Sequence, residues 1–241
     1  LLFDEDPSID YLRLESSPRS MCFEEEIFTQ SLLEDVERLY KDADPAHDFS
    51  HILRVYHNAK VIGQAEGADM PVLLLAALLH DAKEGSKHSL GSLDAKQDQE
   101  VRRREAVCQF LEKIDLPEEK KAKVLYAIEV HRFSQGINPQ TLDGKILQDA
   151  DRLDAMGAVG IARAFMTGGS INRAFYSPQD PFCKRREPDD GKWNLDHFYR
   201  KLLRLESRMH TRRGKEMASR RNEVLRRYLK DLEEEIEEHS P

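Results

Sequence analysis

Two imidazoles and two carboxylates stand along helical segments that are otherwise apolar on one face: His51, the adjacent pair His80-Asp81, and Asp151. Imidazole nitrogen and carboxylate oxygen both bind first-row divalent metals well. Together they suit an octahedral or five-coordinate ion that keeps positions open for water and a substrate oxygen. The set therefore fits one divalent ion, with Mn²⁺ first and Mg²⁺, Fe²⁺, Co²⁺ or Ni²⁺ as alternatives. Structural zinc fits less well, because the three cysteines, Cys22, Cys108 and Cys183, are far apart and offer no paired thiolates. Their odd number also excludes a complete intramolecular disulfide set and favours a reducing compartment.

Helices must position these groups. Pro71–Leu79 runs for nine residues without a polar side chain and ends in His80 and Asp81. Leaving a buried polar group unpaired there would cost roughly 2–7 kcal/mol, and more for a charge, so the pair needs a partner. Pro71 near the start, after Asp69, fits the first turn of a helix reaching Asp81. In 46–67, His51, Val55, Asn58, Ala59 and Ile62 share one helical face, Arg54 lies off it, and Asp48 is placed to cap. In 144–157, Leu147, Asp151, Asp154 and Ala155 share a face, which again sets carboxylates on an apolar stripe. Asp149 cannot join that face and is left for capping or ion pairing.

The remaining chain reads as helices over 24–41, 100–114, 117–131, which ends in His131, 158–166 and the strongly helical 195–238. Loops are expected at 83–97, 133–143 and 167–194, the last rich in Gly, Pro and Arg. No alternating strand pattern and no internal repeat is visible. The expected architecture is all-α: a polar N-terminal extension over 1–23 and one helical domain over 24–238.

Composition narrows the partners. A net charge of −8, with 34% charged residues, argues against nucleic acid polymers and anionic membranes. It leaves room for a small anionic substrate held by local cations and a metal. The apolar run of Pro71–Leu79 is far short of the roughly 20 residues that span a bilayer, and the first twenty residues lack a basic-then-apolar leader. A soluble, cytoplasmic protein is expected, with a homo-oligomer left open.

The local wording goes further. His47-Asp48-x-x-His51-x-x-Arg54-Val55, Ala76-Ala77-Leu78-Leu79-His80-Asp81 and Gln148-Asp149-Ala150-Asp151-Arg152-Leu153-Asp154-Ala155 resemble the HD-domain metal-dependent phosphohydrolases. The likeness is to a bacterial-type subgroup that includes nucleotide pyrophosphohydrolases, and it continues through Asp196-His197-Phe198-Tyr199 to cover roughly 24–235. The resemblance implies a single HD-domain helical bundle with His51, His80, Asp81 and Asp151 as metal ligands. Asp151 is taken over Asp149 because the family's ligand directly precedes the Arg-Leu pair. It also implies an acidic group that orients the attacking water three residues after Asp81, where Glu84 stands in place of the subgroup's usual Asp. Lys87, His131 and Arg54 become candidates for the substrate phosphate, with an ion-pair role as the alternative for Arg54. The implied reaction is attack by metal-activated water on a phosphate anhydride of a nucleotide, giving a monophosphate and pyrophosphate. A phosphomonoesterase is the alternative, and a non-catalytic metal- and nucleotide-binding helical module is the alternative of another class.

Overall fold

The structure is a computed structural model and describes residues 29–41, 48–82, 93–131 and 136–237. These form α1 (Gln30–Arg38), α2 (Phe49–Glu66), α3 (Met70–Leu79), α4 (Leu93–Glu112), α5 (Glu118–Val130), α6 (Leu142–Asp154), α7 (Gly157–Ser170), α8 (Asp196–Arg200) and α9 (Arg212–Glu237). Two 3₁₀ turns, Leu202–Arg204 and Glu206–Arg208, lie between α8 and α9. Among the described residues there is no strand, only one isolated bridge between Ala174 and Trp193. The N-terminal extension, Glu84 and Lys87 lie outside the described residues.

α3 is the axis of the domain. Every residue from Pro71 to Leu79 is buried, so the helix has no polar face to present. It packs against α2, α5 and α6, and α2 in turn packs along α6. Each fully buried Leu or Val on it contributes about 1.5–3 kcal/mol, which fixes the helix and whatever its C-terminus carries. Close approach of α2 to α3 depends on Gly63, where a Cβ would meet the Leu73 side chain at 2.5 Å. Gly67 then ends α2 in the left-handed region at φ 74°, which an L side chain resists.

Two boundaries differ from the sequence expectation. α4 begins at Leu93, so the last residues of the expected 83–97 loop are helical; Leu93, Ala95, Lys96 and Gln97 are good helix formers with no Gly or Pro among them. α7 continues past Met166 through Gly168-Gly169 to Ser170, because Gly168 faces the returning Asn194, whose amide would lie about 2.5 Å from a Cβ. The loop over 167–194 is thereby shortened and is braced. Arg186 donates two hydrogen bonds to the Asp196 carboxylate at 2.5 and 2.7 Å, and Lys184 pairs with Glu233 on α9. Within the strongly helical 195–238 lie α8, two 3₁₀ turns and α9. No helix among the described residues is long and apolar enough to cross a membrane.

Candidate metal centre

Four helix ends meet at one place. His51 lies in the first turn of α2, where the Asp48 side chain caps its backbone N–H at 3.0 Å. His80 follows the last residue of α3, His131 follows the last residue of α5, and Asp151 lies in the last turn of α6. Three of these ends are C-termini, whose unpaired carbonyls carry partial negative charge and favour a cation.

Both terminal histidines use that geometry in the same way. His80 Nδ1 donates to Ala77 O at 2.7 Å, and His131 Nδ1 donates to Ile128 O at 2.5 Å. His51 Nδ1 donates to Asp154 Oδ2 at 2.7 Å. Each ring thus commits its Nδ1 proton, and the neutral ring presents a lone pair at Nε2. The Nε2 atoms of His51 and His80 stand 3.3 Å apart. Two lone pairs at that distance repel unless a cation lies between them. Asp81 Oδ2 is 3.9 Å from both Nε2 atoms, and Asp151 Oδ1 is 3.7 Å from that of His51. Donors bound to one ion at about 2.0–2.2 Å stand about 3–4 Å from one another, so these separations fit a single divalent cation. Among the described residues His51, His80 and Asp81 form a metal-competent group, with ligand atoms all within 4.8 Å of one another, and Asp151 Oδ1 approaches its His51 from α6.

Burial favours the neutral form of His80 and of His131. It pushes the His80 pKa down against the opposing pull of Asp81 and Asp151. For His131, burial and the neighbouring His80 lower it from 6.5 to about 4. His131 stacks edge-on to His80 at 5.2 Å and points Nε2 to within 3.9 Å of Asp81 Oδ1, so it borders the centre rather than lying on the surface.

Asp154 is the functional residue that the sequence offers without assigning. It is fully buried beneath His51 and receives Arg54 Nε at 2.7 Å, Arg54 Nη2 at 3.1 Å and Arg163 Nη1 at 2.7 Å. Burial raises its pKa, but hydrogen bonds from His51 and Arg54 and the charge of Arg163 outweigh that and hold the carboxyl well below its usual range. A carboxylate behind a ligating histidine fixes the tautomer and makes the ring a better donor. The signal was its place three residues after Asp151 on one helical face. Arg54, with its third nitrogen on Ser50 at 2.9 Å, is engaged as the partner of Asp154, the ion-pair role that the sequence left as its alternative.

Asp149 faces away from this centre. Its buried carboxylate accepts the backbone N–H groups of His210 and Thr211 and the Thr211 hydroxyl, at 2.8–3.1 Å, and so anchors the start of α9. α9 returns the support: Arg221 donates to Leu153 O and to Asn58 Oδ1, and Asn58 donates to Ala150 O. The helix carrying Asp151 is clamped on both sides.

Residues 48–156 match the HD domain family. The chain is 32% identical over 208 residues to YpgQ of Bacillus subtilis (strain 168), covering 83% of this chain and 90% of that one. The crystal structure of B. subtilis YpgQ in complex with ADP superposes with a TM-score of 0.63 at 31% identity, over 85% of this chain and 93% of the other. An HD-superfamily hydrolase from Bacillus thuringiensis gives 0.67 at 30% identity, over 86% and 95%.

Proposed function

The chain belongs to the HD domain family, and from that premise we propose that it hydrolyses a phosphate anhydride of a nucleotide, releasing a nucleoside monophosphate and pyrophosphate. The observation that carries this reading is the 3.3 Å approach of two committed Nε2 lone pairs, flanked by Asp81 and Asp151. Support for a nucleotide comes from YpgQ, which was crystallised with ADP.

Charge supports an anionic substrate. The carboxylates of Asp81, Asp151 and Asp154 are balanced by Arg54, Arg103 and Arg163, which lie within 4 Å of one or another member of the group. His51, His80, Asp81 and Asp151 would hold the cation, which supplies Lewis acidity toward water and a phosphoryl oxygen. Its two positive charges then leave the group cationic, and a phosphate restores the balance. The chain's own residues do the rest. Asp154 holds His51 in one tautomer, and Ala77 O does the same for His80. Burial keeps His131 a neutral base at the edge of the site, able to accept a hydrogen bond from a protonated oxygen. Glu84, just beyond α3, takes the proton of the attacking water, a contribution of roughly 10²–10⁴-fold. Lys87 neutralises the phosphoryl charge.

The test uses purified protein stripped with chelator and reloaded with Mn²⁺, Mg²⁺, Co²⁺ or Ni²⁺. It is assayed against nucleoside triphosphates, deoxynucleoside triphosphates and monophosphates, with products identified. Monophosphate and pyrophosphate are expected. Nucleoside and phosphate would make it a phosphomonoesterase instead, and turnover that survives chelation and His80→Ala would overturn the metal reading altogether.

A further inference from the structure

The helix that carries Asp151 also walls a second concave region. Gln148 stands one turn before Asp151 and Arg152 on α6, so the two regions adjoin along one helix. The second is a cavity of about 420 Å³, lined in part by Asn138, Gln148, Arg152, Ser207, Arg208 and His210. That volume lies in the range of small-molecule sites. Two guanidinium groups and an imidazole line it, and no carboxylate does. Asp149, fully buried nearby, is committed to the N–H groups of His210 and Thr211 and to the Thr211 hydroxyl. In the metal centre, by contrast, Arg54, Arg103 and Arg163 each stand within 4 Å of an aspartate.

The cavity is built rather than incidental. Gln148 Nε2 donates to Val130 O at 3.0 Å and to Ile137 O at 3.1 Å, which turns Oε1 toward His210. His210 Nε2 donates to that oxygen at 2.6 Å. With Nε2 so committed, Nδ1 is the ring's second group, and it becomes a donor when the ring is protonated. Arg152 Nη1 donates to Arg208 O at 2.6 Å and so fixes the 3₁₀ turn that carries Arg208. Val130 precedes His131, so the Gln148 amide also links the cavity to the edge of the metal centre. Burial and the charges of Arg152, Lys145 and Lys215 push the His210 pKa down against the pull of Asp149. An anion in the cavity reverses that push. Guanidinium matches phosphate oxygens through its planar fork.

We propose that this cavity is the subsite for the phosphates beyond the scissile bond of a nucleoside triphosphate, so that the leaving pyrophosphate rests on Arg152, Arg208 and His210. The inference rests on the hydrolase reading above and names the residues that separate a triphosphate from a monophosphate. In that reaction the water oxygen bonds to the α phosphorus and its proton passes to Glu84. The bond to the bridging oxygen breaks, and its electron pair leaves on the pyrophosphate, where these cations stand.

The test is by binding. Calorimetry follows inorganic pyrophosphate on metal-free protein, and AMP with Mn²⁺ present, on wild type, Arg208→Met, Arg208→Lys and Asn138→Asp. Arg208 and Asn138 are exposed, and melting curves check that each variant folds. Arg208→Met is expected to weaken pyrophosphate about 10-fold, the low end for a charge-assisted pair because the side chain is exposed. Arg208→Lys should fall between, and Asn138→Asp, which adds a carboxylate at constant size, should also weaken it. AMP should bind to every variant as to wild type. Nuclear magnetic resonance of His210 should show its pKa rising when pyrophosphate is added. Pyrophosphate binding that is equal in all four proteins, or a His210 pKa that does not move, overturns the proposal. Equal weakening of AMP and pyrophosphate does so too, by placing Arg208 at the metal centre. A triphosphate with a methylene bridge between its α and β phosphorus atoms should displace pyrophosphate; pyrophosphate that stays bound beside it occupies a separate anion site and overturns the subsite. Turnover of triphosphate with none of these binding effects overturns this inference alone. The binding pattern without turnover overturns the hydrolase reading and leaves a polyphosphate-binding cavity.

Discussion

Asp154→Asn tests how the centre is built without touching a proposed ligand. The amide keeps the size of the carboxyl but loses its charge and one acceptor oxygen. His51 Nδ1, Arg54 and Arg163 then compete for a single neutral oxygen, where two charged ones now serve them. Breaking a fully buried ion pair costs about 3–5 kcal/mol. Arg54 is about one-third exposed, so solvent screens part of this and about 2–3 kcal/mol is expected. For a domain of this size that is a fall in melting temperature of about 4–12 °C. The larger effect is on the metal. With the carboxylate gone, His51 is free to place its proton on Nε2, and Mn²⁺ affinity should fall about 10- to 100-fold. Melting curves with and without Mn²⁺, together with calorimetric titration, separate the two effects. A variant that melts early but binds Mn²⁺ as wild type does would refute the reasoning, because Asp154 would then be a structural ion-pair hub with no hold on the tautomer.

Other consequences can be checked independently. Chelated protein should lose stability as pH falls from 6.5 toward 4, because His131 binds a proton in the unfolded chain before it does in the folded one, with its pKa lowered to about 4. The destabilisation amounts to about 3 kcal/mol, absent above pH 6.5 and fully present below about pH 4. Urea midpoints across that range should flatten in His131→Gln, and an unchanged slope would contradict the assignment. Asp149→Ala should cost about 2–4 kcal/mol by stranding the buried donors at the start of α9, with Mn²⁺ affinity retained; Asp151→Ala should do the reverse. Glu84→Gln should lower turnover by roughly 10²–10⁴-fold at unchanged Mn²⁺ affinity, and full turnover in single-cycle kinetics would remove it from the chemistry.

Helical periodicity was legible because these helices bury one face or, in α3, every face. The run Pro71–Leu79 announces itself for that reason, and its polar end is anomalous enough to mark the site. Asp154 was visible on its stripe but not interpretable, since what distinguishes it is what meets it: His51 and Arg54 come from a helix about 100 residues earlier in the chain. Arg103 gave no signal, because nothing in the Arg102-Arg103-Arg104 triplet says which guanidinium turns inward. Boundaries failed where distant packing decides them. α7 runs on through two glycines only because Asn194 returns against Gly168, and α9 starts where Asp149 caps it. Arg54 shows the limit from the other side: it was placed off the His51 face, yet it reaches the same Asp154 carboxylate as His51, on another helix.

The central claim is that His51, His80, Asp81 and Asp151 hold one divalent ion. Its most direct test is a titration of chelated protein with Mn²⁺, read by electron paramagnetic resonance of the free ion. Wild type should take up one Mn²⁺ per chain. His80→Ala and Asp151→Ala should take up none at the same concentrations, while Asp149→Ala still takes up one. Equal uptake by wild type and His80→Ala, or no uptake by wild type, would contradict it.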